Sequence, residues 1–224
     1  MVLPDSLISV ASGSFYNCQT LKSFQLPSWF DTIPSYFIAN SNYIESVTNF
    51  PTDPLYIGSS ALQGVSRLVW EYVPSNATLQ ISINAFQNAS RIYGDITNLS
   101  QNLTLLADGA FSAAGSLSTF GGIYGTPTIN GAKLKRIGAN AFRQTKITGI
   151  TILDGVEEIG NSAFQSVTSL STSNATILLP QSLTKMGTSV FAGTGAGLTI
   201  NTSLVPQAVK DSWPAGWSGN ATVI

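Results

Sequence analysis

The chain predicts a solenoid, a stack of similar coils along one axis, and three observations carry that prediction. The first is a recurring hexad. Ile137-Gly138-Ala139-Asn140-Ala141-Phe142 is repeated as Ile159-Gly160-Asn161-Ser162-Ala163-Phe164 and as Met186-Gly187-Thr188-Ser189-Val190-Phe191. Looser copies end at Leu62, Phe86, Phe111 and Phe15, and Ile33-Pro34-Ser35-Tyr36-Phe37 fits with one residue deleted. The second is the spacing. The eight closing residues, Phe15, Phe37, Leu62, Phe86, Phe111, Phe142, Phe164 and Phe191, lie 22, 25, 24, 25, 31, 22 and 27 residues apart, a period that marks a repeat architecture. The third is an apolar alternation after several of these anchors, as in 21–26 and 147–152, which reads as a short strand. Pro27, Pro51, Pro74 and Pro180 follow such runs and end them.

Aligned on the anchors, the remaining columns define one unit. Five residues before the anchor stands Val10, Ile57, Ile81, Leu106, Ile137, Ile159 or Met186, and four before it is usually a glycine or another small residue. Ala61, Ala85, Ala110, Ala141 and Ala163 directly precede their anchors. Six after comes Leu21, Tyr43, Leu68, Ile92, Leu117 or Leu170, with Ile147 and Leu198 displaced by one. The strand sends two or three side chains inward, the glycine permits a tight path, and the alanine leaves room for the ring beside it. One such unit cannot bury its apolar face, whereas a stack buries a continuous one. Each buried Phe contributes about 1.5–3 kcal/mol.

Composition narrows the function classes. Charged residues make up 9% of the 224-residue chain, against about a quarter in ordinary domains, and Ser, Thr and Asn supply the polar surface. This suits a secreted or surface-displayed protein. A formal net charge of −1 argues against nucleic acid or an anionic membrane as partner. No apolar run reaches the eighteen or so residues of a membrane span. Cys18 is the single cysteine and histidine is absent, which removes the internal disulfide, the commonest general base and the commonest metal ligand together. Met1-Val2-Leu3-Pro4 already falls inside a repeat, so the chain is expected to be a piece of a longer precursor.

The string apolar-Gly-x-x-Ala-Phe-x-x-Cys-x-x-Leu resembles the leucine-rich repeat of the BspA type, found in bacterial surface proteins and in some protists. Phe15-Tyr16-Asn17-Cys18-Gln19-Thr20-Leu21 carries its second half whole. Elsewhere the Cys column holds Asn40, Val65, Ala89, Ala114, Thr145, Val167 and Thr194, so Cys18 reads as a small buried filler. The segment 179–187 is similar to the family's inter-repeat linker. The resemblance implies a right-handed leucine-rich-repeat solenoid of eight repeats over residues 1–200, with a parallel β-sheet on the concave face and short helical or irregular segments on the convex face. It further implies a C-terminal cap at 201–224, in which 205–213 forms a short helix stopped by Pro214 and Trp213 and Trp217 pack as cover.

Candidate sites are few. No triad, phosphate loop, metal cluster or cofactor motif appears, and Glu157-Glu158, the one adjacent carboxylate pair, is poorly placed to share a site if extended; no enzyme is expected. The segment 169–174 reads as a loop insertion. The basic residues Lys133, Lys135, Arg136, Arg143 and Lys146 suggest an acidic-ligand patch, but Arg136, Glu158 and Lys185 share the position six before their anchors, so stacking would pair opposite charges in a row. Trp70 and Tyr72 share one strand face. One register places them outward as a binding platform but turns Glu71 inward; slipping by one residue buries the rings and frees Glu71. Seven Asn-x-Ser/Thr sites occur, at Asn76, Asn88, Asn98, Asn102, Asn174, Asn201 and Asn220. The resemblance points to an extracellular or cell-surface adhesion or recognition module that binds host or neighbouring-cell surface proteins. A structural spacer displaying another domain, or a glycan-binding module resting on Trp70 and Tyr72, are the other readings.

Overall fold

The structure is a computed structural model and describes residues 1–73, 78–99, 102–115, 122–172 and 176–224. It is a parallel β-solenoid of about eight coils with little helix. The residues six and five before the anchors of repeats three to eight, together with Thr32–Ile33 in repeat two, form its one long sheet. Seven two-residue strands, Thr32–Ile33, Tyr56–Ile57, Gln80–Ile81, Leu105–Leu106, Arg136–Ile137, Glu158–Ile159 and Lys185–Met186, lie side by side in chain order. In each pair the second residue points into the core and the first faces out.

Immediately after this sheet the backbone makes the turn that carries the anchor. Asn140, Phe142 and Gln144 donate their N–H groups to the carbonyls of Asn161, Ala163 and Gln165 on the next coil, at 2.9, 2.8 and 3.0 Å. The same three-bond pattern joins the coils on either side of Leu62, Phe86 and Phe111. Residues two before and two after the anchor adopt positive φ, among them Asn84 and Asn88 at 55° and 56° and Ser162 and Ser166 at 55° and 58°. Left-handed backbone is easiest for Gly and Asn, which explains why those flanking columns are rich in Asn, Ser and Gly. The glycine four before the anchor has a different cause. A Cβ at Gly58, Gly138, Gly160 or Gly187 would run into the backbone of the preceding coil, so close approach, not positive φ, demands it.

The apolar columns pack as the repeat requires. All eight anchors are buried, and Phe111, Phe142, Phe164 and Phe191 stack in sequence with ring centroids 5.8, 5.4 and 5.2 Å apart and planes within 19°. The alanines before them are fully buried. The Cys column is a row of small buried groups in which Thr145 and Thr194 donate their hydroxyls to the carbonyls of Phe142 and Phe191; Cys18 itself is half-buried.

Repeat two differs from the sequence expectation. Ile38, not Phe37, occupies the anchor slot, because Ile38 N–H donates to Ala61 while Phe37 O accepts from Phe15, the role of the alanine column elsewhere. With Ile38 as reference no residue is deleted. Ile33, Tyr36 and Asn40 fall at the expected strand and positive-φ positions. Ser41 replaces Asn40 in the Cys column, accepting from Cys18 N–H, and fully buried Ile44 replaces Tyr43, which is 41% exposed under Arg67. The aromatic at 37 still enters the core, from the neighbouring slot.

The second departure concerns the strands after the anchors. They do not form one sheet. Ser23–Gln25 pairs with Ser46–Thr48, and Trp70–Glu71, Ile92–Asp95, Ile123–Gly125 and Lys146–Ile147 form a four-stranded sheet. Thr128–Ile129 pairs with Thr151–Ile152, and Thr176–Leu178, Thr199–Asn201 and Thr222–Val223 make three strands. The run 147–152 is thus two strands on different sides of the coil, with Gly149 between them. Pro27 and Pro180 follow their strands closely; Pro74 lies outside the described residues, as does Leu117. The segment read as a loop insertion begins with a helical turn, Ser169–Thr172.

Past Asn201 the chain turns through the helix Gln207–Lys210 and returns as Thr222–Val223, paired in register with Thr199–Ile200. Trp217 O accepts from Phe191 N–H, and its ring meets Phe191 at 6.2 Å and Trp213 at 5.2 Å. Trp213 and Trp217 therefore cover the last coil.

Candidate functional site

The register that decides Trp70 and Tyr72 is the four-stranded sheet, where Trp70 stands opposite the fully buried Ile92 and Glu71 opposite Tyr93. Trp70 is 5% exposed and Tyr72 wholly buried, while Glu71 faces solvent. The outward-facing register considered from sequence is corrected by this. Its cause is twofold. A carboxylate is costly to bury unpaired, and the core needs the rings. Neither Ile38 nor Leu62 supplies an aromatic, so the column passes from Phe37 through Phe50 and Trp70 to Phe86, with centroids 6.2, 4.8 and 5.7 Å apart. Tyr72 OH meets the hydroxyl of Thr78 at 3.2 Å, and Thr78 in turn reaches Asp53 and the carbonyl of Pro54. Burial pushes the Tyr72 phenol well above its ordinary range. Both residues are core, and the glycan platform that rested on them is not a surface.

The aromatics on the outer side of this sheet are Tyr93 and Tyr124, which sequence reasoning passed over. Desolvation, then Glu71 and Tyr124, push the Tyr93 phenol up. The basic residues do not form a patch. Lys133 bonds Asn102 at 2.9 Å, Arg143 bonds Gln165 at 3.1 Å, and Lys135 faces Glu157 at 3.7 Å. Arg136, Arg143 and Lys146 occupy the long sheet, the anchor turn and the four-stranded sheet respectively. Of the Asn-x-Ser/Thr sites, Asn88, Asn98 and Asn220 are exposed, Asn102 and Asn201 are half-buried, and Asn76 and Asn174 lie outside the described residues.

The charge row forms as the repeat alignment demands. Arg136 pairs in register with Glu158 and Glu158 with Lys185. Arg136 Nε donates to Glu158 Oε1 at 2.7 Å, and Lys185 Nζ lies 4.0 Å from Glu158 Oε2. Asp108, three before its anchor, extends the row by accepting from Arg136 Nη1 at 2.6 Å. Hydrogen bonds to Asp108 and then Glu158 hold the guanidinium proton more firmly than usual.

This row occupies one half of the outer face of the long sheet. The other half carries less charge: Ile83 and Leu105 are 52% and 38% exposed beside Tyr56 and Gln80, and Leu55 and Leu79, 41% and 42% exposed, stand just before its strands. These four sit seven, six or three residues before their anchors, columns that hold polar residues in repeats six to eight except at Ala139. Two depressions follow the division. One of about 280 Å³ lies over Ser59, Ser82, Ile83, Leu105 and Ala107. The other, of about 470 Å³, lies over Glu158, Asn161, Lys185, Met186 and Trp213. Asp108 and Arg136 border both, so the face is one continuous strip, less charged at one end and more charged at the other. With the repeats aligned, those outward columns were readable in the sequence; what was missing was which strand formed the long sheet.

A parallel coil whose glycine and anchor columns recur at this spacing defines a leucine-rich-repeat protein. The chain belongs to the BspA-type leucine-rich repeat family, whose model matches residues 1–118 and 98–209 in six copies. The crystal structure of a leucine-rich repeat protein from Bacteroides ovatus ATCC 8483 superposes with a TM-score of 0.55 at 23% identity, covering 99% of this chain and 59% of that one. At that identity the likeness is one of fold, and this chain spans about three-fifths of that protein's length. No curated protein sequence matches the chain.

Proposed function

We propose that this chain is a non-catalytic recognition module of an extracellular or cell-surface protein, and that it binds another protein through the outer face of the long sheet. The observation that carries the reading is the depression where exposed Ile83 and Leu105 stand beside a charged strip on the same face. Contiguous exposed apolar surface with a polar flank is what protein interfaces use. Backbone bonds between coils hold the face rigid, so little ordering entropy opposes binding. Membership of a repeat family typically displayed on bacterial surfaces supports the location, and among the described residues no helix is long and apolar enough to cross a membrane. Residues 201–224 serve as the cap that shields the last coil. The test is a surface-binding screen of the purified chain against extracellular-matrix and cell-surface proteins, with Ile83→Glu/Leu105→Glu as comparison. A protein bound by the native chain should lose at least tenfold in affinity for the variant while both melt alike. Equal binding by the two proteins, or no binding to any member of the panel, overturns the reading.

A further inference from the structure

We infer that Pro34 and Pro214 are stops that hold the long sheet at seven strands and keep its ends from pairing with a second copy of the chain. One recurring bond joins the sheet. The N–H four residues before an anchor donates to the carbonyl five before the preceding anchor: Gly58 to Ile33, Ser82 to Ile57, Ala107 to Ile81, Gly138 to Leu106, Gly160 to Ile137 and Gly187 to Ile159, at 2.8–3.0 Å. These six bonds link the seven strands. In repeat two the same position holds Pro34, four before Ile38. Proline has no N–H, so nothing at that position can bond the carbonyl of Val10.

The other end stops in the same way, because the cap is itself a degenerate ninth coil. Phe191 N–H donates to Trp217 O as Phe164 N–H does to Val190 O, which puts Ser218 in the anchor slot. Gly216, two before it, has the positive φ of that column, 76°. Trp213, five before it, is buried as the inward strand residues of the other coils are, and Pro214 stands four before it. Met186 O, the next acceptor of the series, therefore receives no N–H from that position. Asp211, seven before Ser218, gives its N–H to Gln207 inside the helix, whereas Leu55, Leu79, Thr104, Glu157 and Thr184, at the same offset, donate to the coil before them.

Both interruptions are local. Coil one still donates the N–H groups of Gly13, Phe15 and Asn17 to coil two, and coil nine still pairs Thr222–Val223 with Thr199–Ile200. Yet the segments facing the prolines, 7–11 and 212–213, form no strand, and Ile8 is left 94% exposed. Faulty stacking does not explain that gap; a missing donor does. The two ends of a parallel ladder are complementary, so without the stops the last strand of one copy would match the first of another. Such a head-to-tail contact does not close and runs on into fibres. Proline is one of the residues that blunt a sheet edge, and here it leaves each terminal strand beneath a coil that cannot carry the ladder on.

The test compares the native chain with Pro34→Gly/Pro214→Gly and Pro34→Ala/Pro214→Ala by sedimentation velocity. Alanine is admissible because Ala107 makes the same bond. The native chain should stay monomeric, and both variants should gain mass with concentration. Their two new amides should exchange at least tenfold more slowly than in the urea-unfolded chain. Pro27→Gly/Pro180→Gly, which frees the backbone outside this ladder, should remain monomeric. The inference is overturned if the ladder variants stay monomeric, if the native chain or Pro27→Gly/Pro180→Gly associates to the same extent, or if the new amides exchange as freely as in the unfolded chain. Unfolding of both ladder variants, seen by circular dichroism, would show the prolines acting on the fold instead of on pairing, and overturns it as well.

Discussion

Phe164→Ala tests the architecture at its centre. Phe164 is fully buried, and its ring lies between Phe142 at 5.4 Å and Phe191 at 5.2 Å, both planes within 7° of its own. Emptying a Phe site costs about 3–5 kcal/mol, the figure depending on how far the surroundings collapse. Here they are held apart. Phe142 N–H donates to Ala163 and Phe164 N–H to Val190, and the flanking Ser162 and Ser166 donate to Thr188 and Ala192, so the coil spacing cannot shrink to fill the void. Two stacking contacts, each worth about 0.5–1.5 kcal/mol, go with the ring. The upper part of the range is therefore expected, about 4–5 kcal/mol in urea denaturation followed by circular dichroism. Because a solenoid's stability is a sum of neighbour terms, the loss should also be local. Hydrogen exchange should speed up first in residues 137–201, while residues 57–111 keep their protection. A loss below about 2 kcal/mol, or exchange accelerated evenly along the chain, would refute the column as the stabilising element.

Trp70→Ala should cost about 3–5 kcal/mol and Glu71→Ala less than about 0.5 kcal/mol; the opposite order in the same assay would restore the outward register. Gly160→Ala should destabilise by about 1–3 kcal/mol, although it adds only a methyl group, because that methyl meets the backbone of Gly138 and Ala139. Arg136→Gln should cost no more than about 1 kcal/mol and less in 1 M salt, since the ion pairs it breaks are exposed; a salt-independent loss would mean packing is at stake. The Tyr72 phenol is raised in the folded state by burial, so its contribution is complete below the unfolded phenol's pKa of about 10 and is lost as pH rises beyond it. Stability measured from pH 9 to 11 should fall, and Tyr72→Phe should flatten that fall; an unchanged slope would show that Tyr72 ionises freely.

The long-range order of the chain was legible because a solenoid writes its architecture into local spacing. The glycine, alanine and phenylalanine columns around 137–142, 159–164 and 186–191 gave the coil, its stacking direction and the charge row from Arg136 to Lys185, since each depends only on neighbours one period away. Where the columns degrade, side-chain identity misleads. Phe37 looks like an anchor because it is aromatic, yet the positive-φ residues Tyr36 and Asn40 frame Ile38, and the backbone ladder follows the frame.

Other features are set by relations among coils that no single repeat contains. Trp70 is inside because Leu62 leaves the aromatic column without a ring between Phe37 and Phe86, a gap visible only once the coils are stacked. Which strand makes the continuous sheet is decided by where coils of unequal length stay in register. The first residue of each hexad and the one before it precede a turn of fixed length, so the strands align seven times over, whereas the segments after the anchors vary and break into four smaller sheets. The sequence by itself determined the repeat, its core columns and its axial charge pairing, because those are periodic. Only the tertiary structure decided which outward columns share a face, and with them the less and more charged halves of the strip, because side-by-side placement depends on the path of every intervening loop.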